Sequence, residues 1–304
     1  MYIYLPIAEI AVNVFLILGL GTGIGVLSGI FGVGGGFLIT PLLIFIGIPP
    51  TVAVATGANQ IVGSSVSGFL AHWRAGTVDF RMGTVLLVGG VIGSTAGVNL
   101  FSWLQSLGQI DLVIQISYVV MLGTIGLLMM IESIQSIIRT RRTGKLQRIK
   151  AHKHSWVHGL PFKMRFRKSR LYISGLLPFS VGILVGVLSA IMGVGGGFVM
   201  IPAMVYLLGM PTGIVVGTSL FQIIFVTANV TLFQATMNQT VDIPLAVLLL
   251  IGGVIGAQYG TRIGKKLPGE QLRGLLAALV LAVCGKIMYD LAITPKDLFS
   301  YYLP

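Results

Sequence analysis

Two pairs of polar residues interrupt segments that are otherwise apolar. Thr56 and Gln60 are four residues apart, as are Thr218 and Gln222, so each pair falls on one face of a helix. Asn59 and Ser219 flank these faces. Their hydroxyls and carboxamides are neutral donors. Such donors suit an oxyanion that must bind and then leave, whereas a buried lysine or arginine would hold it too tightly. Residues of this kind also act as hydrogen-bonding glue between membrane helices, and their spacing does not choose between the two uses. A glycine triplet precedes each pair: Gly34, Gly35 and Gly36 in one case, Gly195, Gly196 and Gly197 in the other. Each glycine costs a helix about 1 kcal/mol relative to alanine. In hydrocarbon the freed backbone groups would cost several kcal/mol more unless something satisfies them. The residues after each triplet start a short helix whose unpaired N–H groups and positive dipole end would lie at membrane depth, an arrangement that holds anions. Close helix packing is the other use of such glycines.

The triplets belong to a duplication. GVLSGIFGVGGGFLITP at residues 25–41 recurs as GVLSAIMGVGGGFVMIP at 186–202, without a gap at an offset of 161. Apolar composition alone would not place three consecutive glycines and a proline at the same spacing twice, so the chain reads as an internal repeat. The likeness continues in Gly47-Ile48-Pro49 and Gly209-Met210-Pro211, in Val78-Asp79 and Val241-Asp242, and in Gly89-Gly90-Val91-Ile92-Gly93 and Gly252-Gly253-Val254-Ile255-Gly256.

The elements that must position these residues are membrane helices. The 304-residue chain is 55% hydrophobic and 9% charged, against roughly 25% charged residues in a soluble domain. Ten apolar segments follow, near 9–31, 36–47, 50–72, 80–103, 110–138, 171–192, 197–209, 211–236, 243–262 and 271–292. The segment 36–47 covers only about 18 Å as a helix, against a hydrocarbon core of about 30 Å. It and 197–209 read as half-helices or re-entrant segments. The start of the chain reads as the approach to the first spanning helix, without a cleaved signal peptide.

Of the 20 Lys and Arg, 12 lie between Arg139 and Arg170, a span with no Asp or Glu. This is the pattern of a cytoplasmic loop under the positive-inside rule, and such a loop can meet anionic lipid headgroups. The net charge of +12 therefore does not point to nucleic acid. With that loop inside, Arg74 and Arg81 fall inside and Met237–Asp242 outside, so two five-segment halves must be inverted. The expected organisation is a first transmembrane repeat at 1–138, a basic cytoplasmic loop at 139–170 and a second, inverted repeat at 171–304.

The remaining candidates are read as structural. Asp79 and Asp242 open helices at the membrane edge and are expected to be N-caps. Asp111 and Glu132 lie near interfaces. Lys286, the one deep basic residue, is expected to snorkel. His152, His154 and His158 have metal-ligand spacing but lie among positive charges that repel a cation. His72 beside Trp73 and Arg74 is an interfacial anchor. Cys284, the single cysteine, permits no intrachain disulfide. No metal, cofactor or catalytic group is expected, and the chain is not read as an enzyme.

The paired stretch GVLSGIFGVGGGFLITPLLIFIGIPPTVAVATGANQ and its second-half partner resemble the doubled signature of the TauE/SafE sulfite exporter family, and the likeness covers nearly the whole chain outside the basic loop. The resemblance implies a multi-pass protein of the bacterial inner membrane that carries a small sulfur-containing anion such as sulfite, thiosulfate or sulfoacetate, outward. An anion channel or a carrier of another organic anion is the alternative. The resemblance leaves the coupling ion and oligomeric state open. The expected fold is all-α with two inverted repeats. In it the amides after Gly34–Gly36 and Gly195–Gly197 hold the anion's oxygens, and Thr56, Asn59, Gln60, Thr218, Ser219 and Gln222 select its shape.

Overall fold

The structure is a computed structural model that describes residues 2–31, 36–143, 162–264 and 269–292. The described chain is helical apart from two small hairpins. The first half contains α1 (Val14–Phe31), α2 (Gly36–Phe45), α3 (Pro50–Arg74), α4 (Phe80–Ser106) and α5 (Ile110–Thr143). The second contains α6 (Leu176–Met192), α7 (Gly197–Pro202), α8 (Thr212–Phe233), α9 (Ile243–Gly264) and α10 (Gly269–Ala292). Each helix therefore has a counterpart five helices later. Among the described residues, five helices are long and apolar enough to cross a membrane, and the protein is an all-α polytopic membrane protein.

The two expected half-helices are present. The helix α2 has 10 residues. The helix α7 has 6 and runs on past Pro202 as a π-helical turn over Ala203–Leu207.

Local chemistry sets the helix ends. Pro50 stands in the first turn of α3, where its missing N–H costs nothing. The Asp79 carboxylate accepts from the amides of Arg81 and Met82 and caps α4. The Asp242 carboxylate accepts from the Leu245 amide, 3.2 Å away, and caps α9. Both aspartates are N-caps, as expected.

The halves are interleaved by glycine. A methyl on Gly25 would lie 2.4 Å from the carbonyl oxygen of Gly253, and one on Gly186 would lie 2.3 Å from that of Gly90. Only glycine permits these approaches. They zip α1 to α9 and α4 to α6, each first-position helix packing on the fourth helix of the other half. Both pairs are parallel, because contacts advance together along the chains: Gly21 meets Leu249 and Gly25 meets Ala257, while Gly182 meets Leu86 and Gly186 meets Ser94. By contrast, α3 and α8 are antiparallel. Gly68, late in α3, meets Leu220 early in α8. Corresponding helices of the two halves thus run in opposite directions, which makes the repeat inverted.

The first dozen residues depart from the expected approach segment. Strands β1 (Tyr2–Leu5) and β2 (Ile10–Asn13) form an antiparallel hairpin, and β3 (Lys163–Phe166) and β4 (Leu171–Ser174) form its counterpart. Each hairpin faces inward with alternate residues. Leu5 and Phe166 are fully buried, the second among Met82, Leu86, Met200 and Met204. Residues 163–170, within the expected basic stretch, thus form strand β3 and its turn, packed against α4 through Phe166 and Ser169. The histidines 152, 154 and 158 lie outside the described residues.

Candidate functional site

Glutamines 60 and 222 occupy corresponding places on α3 and α8, and both are fully buried. Each amide packs against a glycine of the other half. A methyl on Gly253 would be 2.1 Å from Gln60 Nε2, and one on Gly90 would be 2.6 Å from Gln222 Nε2. Among the described residues, neither the oxygen nor the nitrogen of either amide has a hydrogen-bond partner. A buried polar group left this way costs about 1–3 kcal/mol. The buried hydroxyls of Ser65 and Ser189 are likewise without partners there. A protein core normally avoids such groups.

The start of α2 and the second glycine break meet beside Gln60. Ile61 touches both: a methyl on Gly36 would meet its Cδ1 at 2.1 Å, and one on Gly195 would meet its Cγ2 at 2.8 Å. At the second break, Gly193, Gly195 and Gly196 have φ of +67°, +70° and +75°, the left-handed region that favours glycine. The amide of Gly193 bonds back to the Ser189 carbonyl and closes α6. Gly197 then starts α7 with no side-chain cap at Gly196; the Val199 amide returns to the Gly196 carbonyl at 3.1 Å, and the amides of Gly197 and Phe198 have no backbone acceptor among the described residues. Gly34 and Gly35 lie outside the described residues, whereas Gly36 is buried at the start of α2.

Phe37 and Phe198, one residue into each short helix, stack with ring centroids 4.6 Å apart and planes 19° apart. Both are almost fully buried. Tyr118 of α5, also buried, donates from its hydroxyl to the Met192 carbonyl at 2.6 Å, satisfying an acceptor that the end of α6 would otherwise leave open.

The threonines are engaged differently from the glutamines. Thr56 Oγ1 accepts from the Asp242 amide at 3.1 Å, and Thr218 Oγ1 accepts from the Asp79 amide at 3.0 Å while donating to the Ile214 carbonyl at 2.8 Å. The aspartates in turn hold the hairpin turns. Asp242 accepts from the Ile7 amide at 3.1 Å, and Asp79 accepts from the Ser169 amide at 3.0 Å and its hydroxyl at 2.6 Å. Two equivalent latches thus tie helix, cap and hairpin together. Ser219 is buried with its hydroxyl on the Val216 carbonyl at 2.9 Å. Asn59 is half-buried.

Among the described buried residues, Asp79 and Asp242 are the only charged ones, and their oxygens are taken by protein donors. Lys286 lies at an exposed position, paired with Asp290 and over the rings of Phe45 and Tyr289. An anion near the glutamines would therefore be held by dipoles: carboxamide N–H groups and first-turn amides. The sequence places Gln60 and Gln222 in corresponding segments, each four residues after a threonine, and the structure buries both. Phe37, Phe198 and the partner glycines 90 and 253 were visible as repeated residues but not as neighbours of the site. Tyr118 has no sequence signal that would have singled it out.

Comparison with known proteins agrees with this architecture. The profile of the family described as "Sulfite exporter TauE/SafE" matches residues 17–287, a span that includes both breaks and both glutamines. The chain is similar to the "probable membrane transporter protein YjnA" of Bacillus subtilis (strain 168), with 25% identity over 86% of this chain and 94% of that one. It is also similar to the "probable membrane transporter protein MJ0441" of Methanocaldococcus jannaschii, with 24% identity over 90% and 94%. The "sulfite exporter TauE/SafE family protein 2" of Arabidopsis thaliana is 35% identical over a shorter stretch, 25% of this chain and 16% of that protein. No solved structure matches the chain. With a doubled, inverted, glycine-broken helical body and a family profile running through nearly all of it, the chain belongs to the TauE/SafE sulfite exporter family of membrane transporters.

Proposed function

We propose that this transporter carries a small sulfur-containing oxoanion, such as sulfite, thiosulfate or sulfoacetate, out of the cell by alternating access around Gln60, Gln222 and the two glycine breaks. The observation that carries the reading is the pair of fully buried, unpartnered carboxamides on corresponding helices. Four N–H donors held ready in a low-dielectric core suit the several acceptor oxygens of an oxoanion, which repay what the empty amides cost. The first amides of α7, those of Gly197 and Phe198, add donors at the second break. Thr56 and Thr218, whose hydroxyls serve the latches, position α3 and α8. Asn59 and Ser219 shape the surroundings of the glutamines. The Phe37–Phe198 stack stands between the two short helices and parts when the anion enters.

In this reading the β3–β4 hairpin and the 139–170 loop face the cytoplasm, in keeping with their basic residues. An inside-negative potential then favours outward movement of an anion by about 2.3 kcal/mol per charge per 100 mV. The test is counterflow in proteoliposomes preloaded with unlabelled sulfite, thiosulfate, sulfoacetate, sulfate or a carboxylate, following a trace of labelled sulfur anion. Transient accumulation with the sulfur anions and not with the carboxylate supports the proposal. Accumulation with the carboxylate alone replaces the substrate class, and single-channel currents would replace the carrier with a channel.

A further inference from the structure

The two hairpins provide an internal comparison, since they share one fold and one attachment but differ in outer face. On the first, the exposed residues are Tyr2, Tyr4, Pro6, Ile7, Glu9 and Ala11; at the corresponding places the second exposes Lys163, Arg165, Arg167, Lys168, Arg170 and Tyr172. Five cations thus replace a face whose only charge is acidic. Both turns keep a residue of positive φ at the same place, Glu9 at +56° and Arg170 at +53°, so the charge change is not a consequence of different backbone geometry.

The cations of the second hairpin are gathered. Arg165, Arg167, Arg170 and Tyr172 line one surface cleft. Arg81 Nη1 donates to the Arg165 carbonyl at 3.1 Å, and Lys168 Nζ donates to the Gly76 carbonyl at 3.3 Å, which brings the α3–α4 turn alongside. That turn contributes exposed Trp73 and half-exposed Phe80, and the hairpin adds Phe162 at 76% and Tyr172 at 59% exposure. Aromatic rings beside guanidinium groups at the end of membrane helices are the composition of the headgroup layer. Nearby Asp79 is buried under the hairpin and bonded to Ser169, so its carboxylate does not reach the hairpin's outer face.

We propose that the outer face of the β3–β4 hairpin binds the phosphate headgroup of an anionic phospholipid, with Arg165, Arg167 and Arg170 on the phosphate and Tyr172 and Phe162 at the acyl boundary. Guanidinium groups match phosphate oxygens two at a time. The bound lipid also braces the transport helices. The hairpin turn holds Asp79 through Ser169, and the Asp79 amide bonds to Thr218 at the base of α8, the helix of Gln222. The site stands apart from the substrate assignment and does not depend on it.

The test measures retention of spin-labelled phosphatidylglycerol against spin-labelled phosphatidylcholine by the intact protein in vesicles. Wild type should prefer phosphatidylglycerol, with the preference falling as salt rises. Each basic residue near an anionic surface contributes about 1 kcal/mol, or roughly fivefold. The variant R165Q/R167Q/R170Q should therefore lose at least about tenfold of the preference, and R165K/R167K/R170K should lose less. Because these side chains are exposed, folding should survive; the single variants R167Q and R170Q, each expected to lose part of the preference, check this. Inorganic phosphate added at millimolar concentration should not displace the lipid. An equal preference in wild type and the glutamine variant would overturn the proposal. Displacement by free phosphate would replace the lipid with a soluble phosphate ligand.

Discussion

Substituting Gly253→Ala separates the role of the glutamine amides from that of helix packing. The added methyl would stand 2.1 Å from Gln60 Nε2, 2.9 Å from Cδ and 3.0 Å from Cγ, where ordinary contact begins at 3.4 Å. The amide must withdraw by about 1.3 Å, far enough to break a hydrogen bond. All three close atoms belong to a movable side chain, so the fold can absorb the change. Alanine adds about 1 kcal/mol of helix propensity, and overpacking removes about 1–3 kcal/mol, so net stability falls by no more than about 2 kcal/mol. The bond lost to an anion is worth about 1.5–3 kcal/mol, so half-saturation in counterflow should rise roughly 10- to 150-fold. The neighbouring Gly252→Ala provides the contrast. Its methyl would meet the Leu18 carbonyl oxygen at 2.8 Å and the Thr22 amide nitrogen at 2.9 Å, which are backbone atoms of α1 and cannot rotate away. That variant should melt markedly lower, and the protein that remains folded should keep its half-saturation. Paired melting and counterflow curves decide the matter. If Gly253→Ala left half-saturation unchanged while Gly252→Ala raised it, the assignment of Gln60 to the site would be refuted.

Other consequences concern the latches. Thr56→Val or Thr218→Val leaves the amide of Asp242 or Asp79 without its acceptor and should lower stability by about 1–3 kcal/mol, read as a shift in thermal melting, with half-saturation little changed; a large change in half-saturation at normal stability would return the hydroxyls to the substrate. Ser169→Ala removes the 2.6 Å bond to Asp79, a bond to a charged acceptor, and should cost about 1.5–3 kcal/mol. Hydrogen exchange should then rise at the β3–β4 turn and not at the β1–β2 turn, and an equal rise in both would argue against separate latches.

Much of the helical body was legible because membrane burial constrains sequence strongly. The 161-residue offset announced the duplication, the triplets announced the breaks, and the short segments after them became α2 and α7. Asp79 and Asp242 were readable as caps because they stand just before apolar helices. The hairpins were not legible. Strands β2 and β4 merge into apolar runs, β3 lies inside the basic stretch, and the turns carry Glu9 and Arg170 at positive φ where glycine or asparagine would have signalled a turn. For the proposed site, Gln60 and Gln222 stood out in the sequence as polar residues repeated in corresponding apolar segments, a pattern that helix-packing glue shares. Thr56 and Thr218 share the same spacing, yet their hydroxyls are taken by the aspartate amides of the other half, a long-range contact that no local pattern records. The same limit hid the seats of the glutamines. Gly90 and Gly253 were seen as repeated glycines, but it is the crossing of the halves that sets each beneath an amide.

The most direct measurement is sulfur-anion counterflow with Gln60 and Gln222 both changed to alanine, in protein shown by melting to be folded. Since the amides have no partner to lose among the described residues, removing them should leave stability near or above that of wild type, while transient accumulation disappears. Retained accumulation with unchanged half-saturation would contradict a substrate site between the two glutamines.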